Sequence, residues 1–127
     1  MGSKKVLLVD DESLVRNMLK KVLQRWGYDV RDAEDCSRGE AAFQADRPDV
    51  CIVDYMMPDG SGLDLIRTLK TIDPTVPFIL LTGYGMPGLE TLALQAGAEC
   101  LMTKPCQLPD LLAMIQRVAE RADVSPV

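Results

Sequence analysis

Short apolar runs recur along the chain and predict strands that are covered on both faces. The clearest is Val50–Val53, where four apolar residues follow one another without the alternation of a strand that has one wet face. Similar runs stand at 6–9 and 78–81, and a shorter one stands at 100–102. The stretch 28–33 alternates between apolar and polar residues, as is typical of an edge strand.

Segments with a helical period separate these runs. In the first, Leu14, Val15, Met18, Leu19, Val22, Leu23 and Trp26 mark one face before Gly27, which indicates an amphipathic helix packed on a sheet. Further helices are predicted from the capping-box spacing Ser37-x-x-Glu40 towards Pro48, after Gly60-Ser61-Gly62, over 89–96 and from about Pro109. Strands that alternate with helices predict an α/β domain with a parallel sheet, right-handed crossovers and helices on both faces.

Length and composition fit one domain and exclude several classes of protein. The 127 residues, 47% of them hydrophobic, suit a single core, which we assign to 4–122 with 123–127 as a tail or the start of a linker. The net charge of −5 and the scattered Lys and Arg residues lack the basic stripe of a nucleic-acid binder. Since no 18 apolar residues run together, we expect neither a membrane span nor a signal peptide.

The cysteines and the lack of histidine limit the chemistry. Cys36, Cys51, Cys100 and Cys106 lack zinc-site spacing, and the chain contains no histidine. We therefore expect a reduced, cytoplasmic protein. Without the commonest general base, chemistry would depend on carboxylates, hydroxyls, lysine or a metal.

Four predicted strands have distinctive polar residues at their carboxyl ends, namely Asp10-Asp11, Asp54, Thr82 and Lys104. Each has a simpler explanation taken singly, such as an acidic first helical turn, a turn-forming aspartate, a strand-end hydroxyl or a solvated lysine. In open parallel sheets, however, these ends meet at the edge where ligands bind. Their joint position favours a functional site.

Carboxylates gathered at one edge repel one another, and a divalent cation removes that problem. Oxygen-only ligands with room for water suit Mg²⁺ better than zinc or calcium. With the ion in place, Asp54 could act as a nucleophile toward phosphorus. Lys104 and the Thr82 hydroxyl would then bind the oxygens of the phosphoryl group.

The set closely resembles the CheY-like receiver domain of two-component response regulators, from Val6 to about Ala122. The motifs that carry the resemblance are Asp10-Asp11, Asp54-Tyr55-Met56-Met57-Pro58 with Gly62, Thr82-Gly83, Gly97-Ala98 and Lys104-Pro105. The resemblance implies a flavodoxin-like, doubly wound sheet of five parallel strands in the order 2-1-3-4-5.

The resemblance also implies the role of each site residue. Asp54 is the phospho-acceptor, and Mg²⁺ is held by Asp11, Asp54 and the Met56 backbone carbonyl, with Asp10 assisting directly or through water. Lys104 pairs with the phosphoryl group, and Thr82 moves toward it. The domain is then a signalling module, not an enzyme in the usual sense, which catalyses its own aspartyl phosphorylation and dephosphorylation.

Partners follow from the same resemblance. The phosphoryl group comes from a phosphohistidine on a histidine kinase or a histidine phosphotransfer protein, which docks near the first helix. There the periodicity places most of Leu14, Val15 and Met18 toward the core. The fourth helix, fifth strand and last helix form the switching surface that controls an output domain or a partner. A homodimer formed on phosphorylation and an output domain after Val127 stay open, and no direct nucleic-acid or membrane contact is expected.

Two positions depart from the family pattern, and two other functions compete. Leu101 stands where Tyr or Phe is common, so that Tyr84 either substitutes in the switch or only packs on its loop, and Cys106 stands where Phe is common. A flavin-binding electron carrier would share the fold, but its phosphate loop would not be acidic. A receiver-like module that has lost phosphorylation and acts through its surface alone is the other alternative.

Overall fold

The computed structural model describes residues 3–83 and 85–123, which form one parallel sheet with helices on both faces. The elements in chain order are β1 (Lys5–Val9), α1 (Ser13–Arg25), β2 (Asp29–Ala33), α2 (Cys36–Ala45), β3 (Val50–Asp54), β4 (Met56–Met57), β5 (Gly60–Ser61), α3 (Gly62–Ile72), β6 (Phe78–Thr82), α4 (Leu89–Ala96), β7 (Cys100–Thr103) and α5 (Leu108–Asp123).

The five long strands lie in the order β2-β1-β3-β6-β7, and every neighbouring pair is parallel. Once the short antiparallel hairpin β4-β5 is set aside, this is the predicted order 2-1-3-4-5. The flavodoxin-like fold class is therefore confirmed. The hairpin was not predicted, because two residues per strand leave no periodic signal.

Two apolar clusters, one on each face of the sheet, hold the three layers together. Side chains alternate along each strand, so that Val9, Val53 and Leu80 join one cluster while Leu8, Ile52 and Leu81 join the other. Residues of α2, α3 and α4 complete the first cluster. Residues of α1 and α5 complete the second. The uninterrupted apolar runs are thus explained by burial on both faces.

The predicted capping box at Ser37 is wrong. Helix α2 begins at Cys36, and its N-cap is Asp35, whose side chain accepts a hydrogen bond from the Arg38 backbone N–H at 2.8 Å. Ser37 already lies in the first turn, and its own N–H donates to Asp59, 22 residues farther along the chain. A partner that distant leaves no local sequence signal.

The first turns of α1 are more exposed than the periodicity indicates. Leu14 is 84% exposed and Met18 is 49% exposed, whereas Leu19 and Leu23 are buried. The prediction that most of the leading apolar residues face the core is therefore wrong for Leu14 and Met18. Both lie where α1 starts, at the carboxyl edge of the sheet, and Met18 lines a cleft there.

In the part of the chain that the structure describes, no helix combines the length and the apolar character needed to cross a bilayer.

Gly62 allows the chain to turn back directly behind the end of β3. Its N–H donates to the Tyr55 carbonyl at 2.6 Å. A Cβ at this position would lie 2.2 Å from the Asp54 carbonyl oxygen, a separation that backbone atoms cannot accommodate without moving. The place of Asp54 at the edge of the sheet thus depends on a glycine at 62.

We expect Gly62→Ala to lower the free energy of unfolding by about 2 to 3 kcal/mol, because the added methyl group collides with backbone and not with a flexible side chain. Urea unfolding would measure the loss. Gly85→Ala is the matched control, since a Cβ there meets no atom within 4 Å. A Gly62→Ala protein as stable as Gly85→Ala would contradict the close approach.

Candidate functional site

A cleft of about 850 Å³ opens at the carboxyl edge of the sheet. Its polar end is formed by Asp11, Glu12, Asp54 and Lys104. Its apolar end is formed by side chains of α1, β6 and the segment leading into α5, namely Val15, Met18, Leu19, Leu81, Cys106 and Leu108. Residues from four separate segments therefore meet at one edge, as expected for an open parallel sheet.

Asp10 is held rigidly at the end of β1. Its N–H donates to the Ala33 carbonyl at 3.0 Å, and its own carbonyl accepts from Arg16 Nη1 at 2.8 Å. Arg16 is fixed in turn by Asp32, whose Oδ2 lies 2.9 Å from Nε. Asp10 Oδ1 accepts from the Glu12 N–H at 2.9 Å. These bonds leave Asp10 Oδ2 directed into the site.

Lys104 approaches the carboxylates from the end of the edge strand β7. Its Nζ lies 2.8 Å from Asp10 Oδ2, 2.9 Å from Glu12 Oε1 and 3.4 Å from Asp54 Oδ2. The backbone of Lys104 is fixed at the end of β7, because its N–H donates to the Thr82 carbonyl at 2.7 Å. Burial favours the neutral amine, but the contacts with Asp10 and Glu12 and the charge of Asp54 outweigh it and raise the pKa of Lys104.

Asp54 lies in the opposite electrostatic situation. Burial raises its pKa, the negative charges of Asp10 and Asp11 raise it further, and Lys104 offsets only part of this, so that the pKa of Asp54 stands at about 7. One ammonium group therefore does not balance the carboxylates around it. The site has a deficit of positive charge.

The acidic residues fit a divalent metal ion. Carboxylate oxygens of Asp10, Glu12 and Asp54 lie within 4.8 Å of one another. Asp10 Oδ2 is buried and has no aligned hydrogen bond, since its contact with Lys104 has the distance but not the direction of one. Carboxylate donors of this kind suit a hard cation such as Mg²⁺.

The structure brings together most of the predicted site residues. Asp10, Asp54 and Lys104 are in direct contact, whereas Asp11 is exposed and lines the same cleft outside the group of three close oxygens. Met56 lines the cleft too. Thr82 is buried at the end of β6, beside Thr103 of β7.

Glu12 is the contact that the sequence reasoning missed. The triplet Asp10-Asp11-Glu12 is visible in the sequence, but only the first two residues were assigned to the site. The carboxylate of Glu12 is more than half exposed and still pairs with Lys104, 92 residues away. Nothing local in the sequence distinguishes it from a solvated helix start.

The departures from the family pattern fall at two different places. Leu101 is half-buried and packs against the apolar cluster beneath α2, α3 and α4. Cys106 is half-buried on the other face of the sheet and lines the cleft. The two roles weighed for Tyr84 concern a residue outside those that the structure describes, and the choice between them stays a prediction.

Comparison with known proteins agrees with this geometry. The family model of the response regulator receiver domain matches residues 6–116. The phosphate regulon transcriptional regulatory protein PhoB of Pseudomonas aeruginosa is 35% identical over 123 residues, which cover 95% of this chain and 54% of that protein. The chain thus spans about half the length of the curated relatives it matches.

Solved structures of receiver domains have the same fold as this chain. A CheY-like response regulator receiver domain protein from Methanospirillum hungatei JF-1 superposes with a TM-score of 0.92 at 27% identity, covering 96% of this chain and 98% of that one. The beryllofluoride-activated NtrC4 receiver domain dimer gives a TM-score of 0.88 at 29% identity, covering 93% and 98%. The chain belongs to the response regulator receiver domain family of two-component systems.

Proposed function

We propose that this domain accepts a phosphoryl group on Asp54 from a phosphohistidine of a histidine kinase or histidine phosphotransfer protein, with Mg²⁺ as cofactor. One observation carries the proposal: the Lys104 ammonium touches Asp10, Glu12 and Asp54 at the carboxyl edge of the sheet. A nucleophilic carboxylate beside a fixed cation is the arrangement that transfer to an aspartate requires.

The reaction needs the ionised form of Asp54. An oxygen of its carboxylate forms a bond to phosphorus while the bond from phosphorus to the donor imidazole breaks, and the imidazole nitrogen keeps that electron pair. The product is an acyl phosphate on Asp54, which water later hydrolyses with or without a phosphatase. Lys104 Nζ lies 3.4 Å from Asp54 Oδ2 and is close enough to bind the transferred oxygens. The Thr82 hydroxyl is the second proposed donor.

Asp10, Asp11, Asp54 and the Met56 carbonyl are the residues that would hold Mg²⁺. The ion would supply the positive charge that Lys104 alone does not provide. Asp10 contributes a buried carboxylate oxygen without an aligned hydrogen bond. Glu12 instead holds Lys104 from the solvent side of the cleft.

Phosphorylation is proposed to switch the surface made by α4, β7 and α5. Helix α4 has eight residues and begins at Leu89, and its N-cap Gly88 has a φ of 84° and provides no side-chain hydrogen bond. So short and uncapped a helix is weakly held by its own hydrogen bonds. Leu92 and Leu94 of this helix are exposed and could bind a partner when the surface changes.

Partners and location complete the proposal. The NtrC4 receiver is named as a beryllofluoride-activated dimer, which supports a homodimer on phosphorylation here. PhoB is a transcriptional regulatory protein about twice as long as the matched region, which supports an output domain after Val127. The four free cysteines support a cytoplasmic location.

The family match and the acidic cleft argue against the flavin carrier, because three carboxylates would repel a flavin phosphate. The module without phosphorylation differs from the proposal in one measurable respect, the uptake of a phosphoryl group.

We expect wild-type protein incubated with Mg²⁺ and a small phosphodonor to gain one phosphoryl group by intact mass, and Asp54→Asn to gain none. Asp64→Asn is the matched control, because Asp64 is an exposed aspartate of α3 that pairs only with the neighbouring Arg67 among the ion pairs described. A wild type that gains no mass would favour the module that acts through its surface alone, and an Asp54→Asn protein that gains as much as wild type would show that another residue accepts the group.

The raised pKa of Asp54 couples stability to pH. An aspartate ordinarily titrates near 3.9 in an unfolded chain, whereas the folded value is about 7. A carboxyl whose pKa is raised by folding contributes its full stability below the unfolded value and loses it as the pH rises through the folded value. The chain has no histidine, so few other side chains titrate in this window.

We expect the free energy of unfolding of the metal-free wild type to fall by about 2 to 3 kcal/mol between pH 5 and pH 8. Asp54→Asn removes the charge and should be more stable than wild type at pH 8, with a flatter profile. Urea unfolding at several pH values would measure both, with Asp64→Asn following wild type. Identical profiles for wild type and Asp54→Asn would contradict the charge deficit.

Lys104→Ala should still accept the phosphoryl group, but the conformational response at α4 should be weaker, because the cation that contacts the transferred oxygens is lost. We expect beryllofluoride with Mg²⁺ to slow amide hydrogen exchange over 89–96 in wild type, and to do so much less in Lys104→Ala. Lys21→Ala, which changes an exposed lysine of α1, should behave as wild type. Equal protection in wild type and Lys104→Ala would exclude this role of Lys104.

A further inference from the structure

Two aspartates, far apart in the sequence, bind the first turn of α2. Asp35 is the N-cap and accepts from the Arg38 N–H at 2.8 Å. Asp59 accepts from the Cys36 N–H at 2.9 Å through Oδ1 and from the Ser37 N–H at 3.0 Å through Oδ2. The N–H groups of a first helical turn have no partner within the helix, and the two aspartates together accept from three of them.

The second carboxylate does more than cap the helix, because of where it comes from. Asp59 lies in the turn of the hairpin β4-β5, between Met57 and Gly60, which pair across it. The hairpin starts at Met56, two residues after Asp54, and its strands have two residues each. A ladder that short does not hold its own shape, and its geometry must be imposed by surrounding contacts.

Among the described residues, Asp59 provides the two backbone hydrogen bonds that join the tip of the hairpin to α2, beside the longer contact of Cys36 Sγ with the Ser61 carbonyl at 4.0 Å. Met57 is buried in the core, which fixes the inner strand. Its base is closed by the Gly62 N–H, which donates to the Tyr55 carbonyl. At the tip, Pro58, Asp59 and Gly60 are all exposed, and the two hydrogen bonds of Asp59 tie this turn to α2.

We propose that Asp59 is a positioning residue for the magnesium site, which acts by tying the tip of the hairpin to α2 and so holding the Met56 carbonyl in place. The inference rests on the proposed function, since it takes that carbonyl as a metal ligand. Both oxygens of Asp59 already accept backbone hydrogen bonds, and those bonds lower its pKa. Asp59 is therefore an ionised anchor and not itself a ligand.

The two caps of α2 provide the control that separates positioning from helix stability. Asp35→Ala removes a cap from the same helix but leaves the hairpin untouched. Asp59→Ala removes a cap and also frees the tip of the hairpin. Both variants should lower the urea midpoint for unfolding, while only Asp59→Ala should change the metal site.

The test is a titration of metal-free protein with MgCl₂, followed through backbone amide shifts at the site. We expect Asp59→Ala to bind Mg²⁺ about three- to tenfold more weakly than wild type. This loss of affinity is smaller than the loss found for many residues that orient metal ligands, because Met57 still anchors the hairpin. Asp59→Asn keeps one acceptor oxygen and should lose less. Asp35→Ala should bind as wild type does.

A second readout needs no metal. Amide hydrogen exchange over 56–61 should be faster in Asp59→Ala than in wild type or Asp35→Ala. Unchanged Mg²⁺ affinity in Asp59→Ala, or an equal loss in Asp35→Ala, overturns the inference while leaving the proposed function intact. If wild type binds no Mg²⁺, or Asp54→Asn binds it as tightly as wild type, the proposed function fails and the inference fails with it.

Discussion

The contact of one ammonium group with several carboxylates is the interaction on which the rest of the site depends. Lys104 reaches Asp10, Glu12 and Asp54 together, while Asp11 adds a further negative charge nearby. Buried charges are costly unless they are balanced. Here the balance is incomplete, and the raised pKa of Asp54 expresses the deficit. A site in this condition gains stability from any added cation, and the same deficit keeps Lys104 charged.

The stability of the sheet offsets the cost of this charge imbalance. Apolar residues of the strands are buried on both faces, so that the core beneath the site is complete without help from the polar edge. Asp54 is the last residue of β3, and Asp10 and Lys104 directly follow β1 and β7. Neighbouring strands fix their backbones, as in the bond from the Lys104 N–H to the Thr82 carbonyl. Because the strands supply stability elsewhere, the edge can hold groups that repel one another.

The sequence predicted what the strands and their ends determine, and it failed where a contact spans the chain. The alternation of strands and helices, the parallel sheet and the positions of Asp54 and Lys104 follow from local apolar runs and the residues after them, whereas the strand order came from the family resemblance. The bond from Ser37 to Asp59 and the pair of Lys104 with Glu12 do not follow from such runs, since each joins segments that local patterns treat as unrelated. Leu14 shows a third limit, because a helical stripe does not reveal where the sheet beneath it ends.

The two sides of the site differ in how firmly they are held, and this difference gives the proposed switch a direction. Toward α2, the segment after Asp54 is anchored by Met57, by Gly62 and by both oxygens of Asp59. Toward α4, Thr82 is followed along the chain by a helix whose N-cap, Gly88, provides no side-chain hydrogen bond. A new charge on Asp54 exerts force on both sides alike. We therefore expect the proposed response on the α4 side, which has fewer fixed contacts than the α2 side.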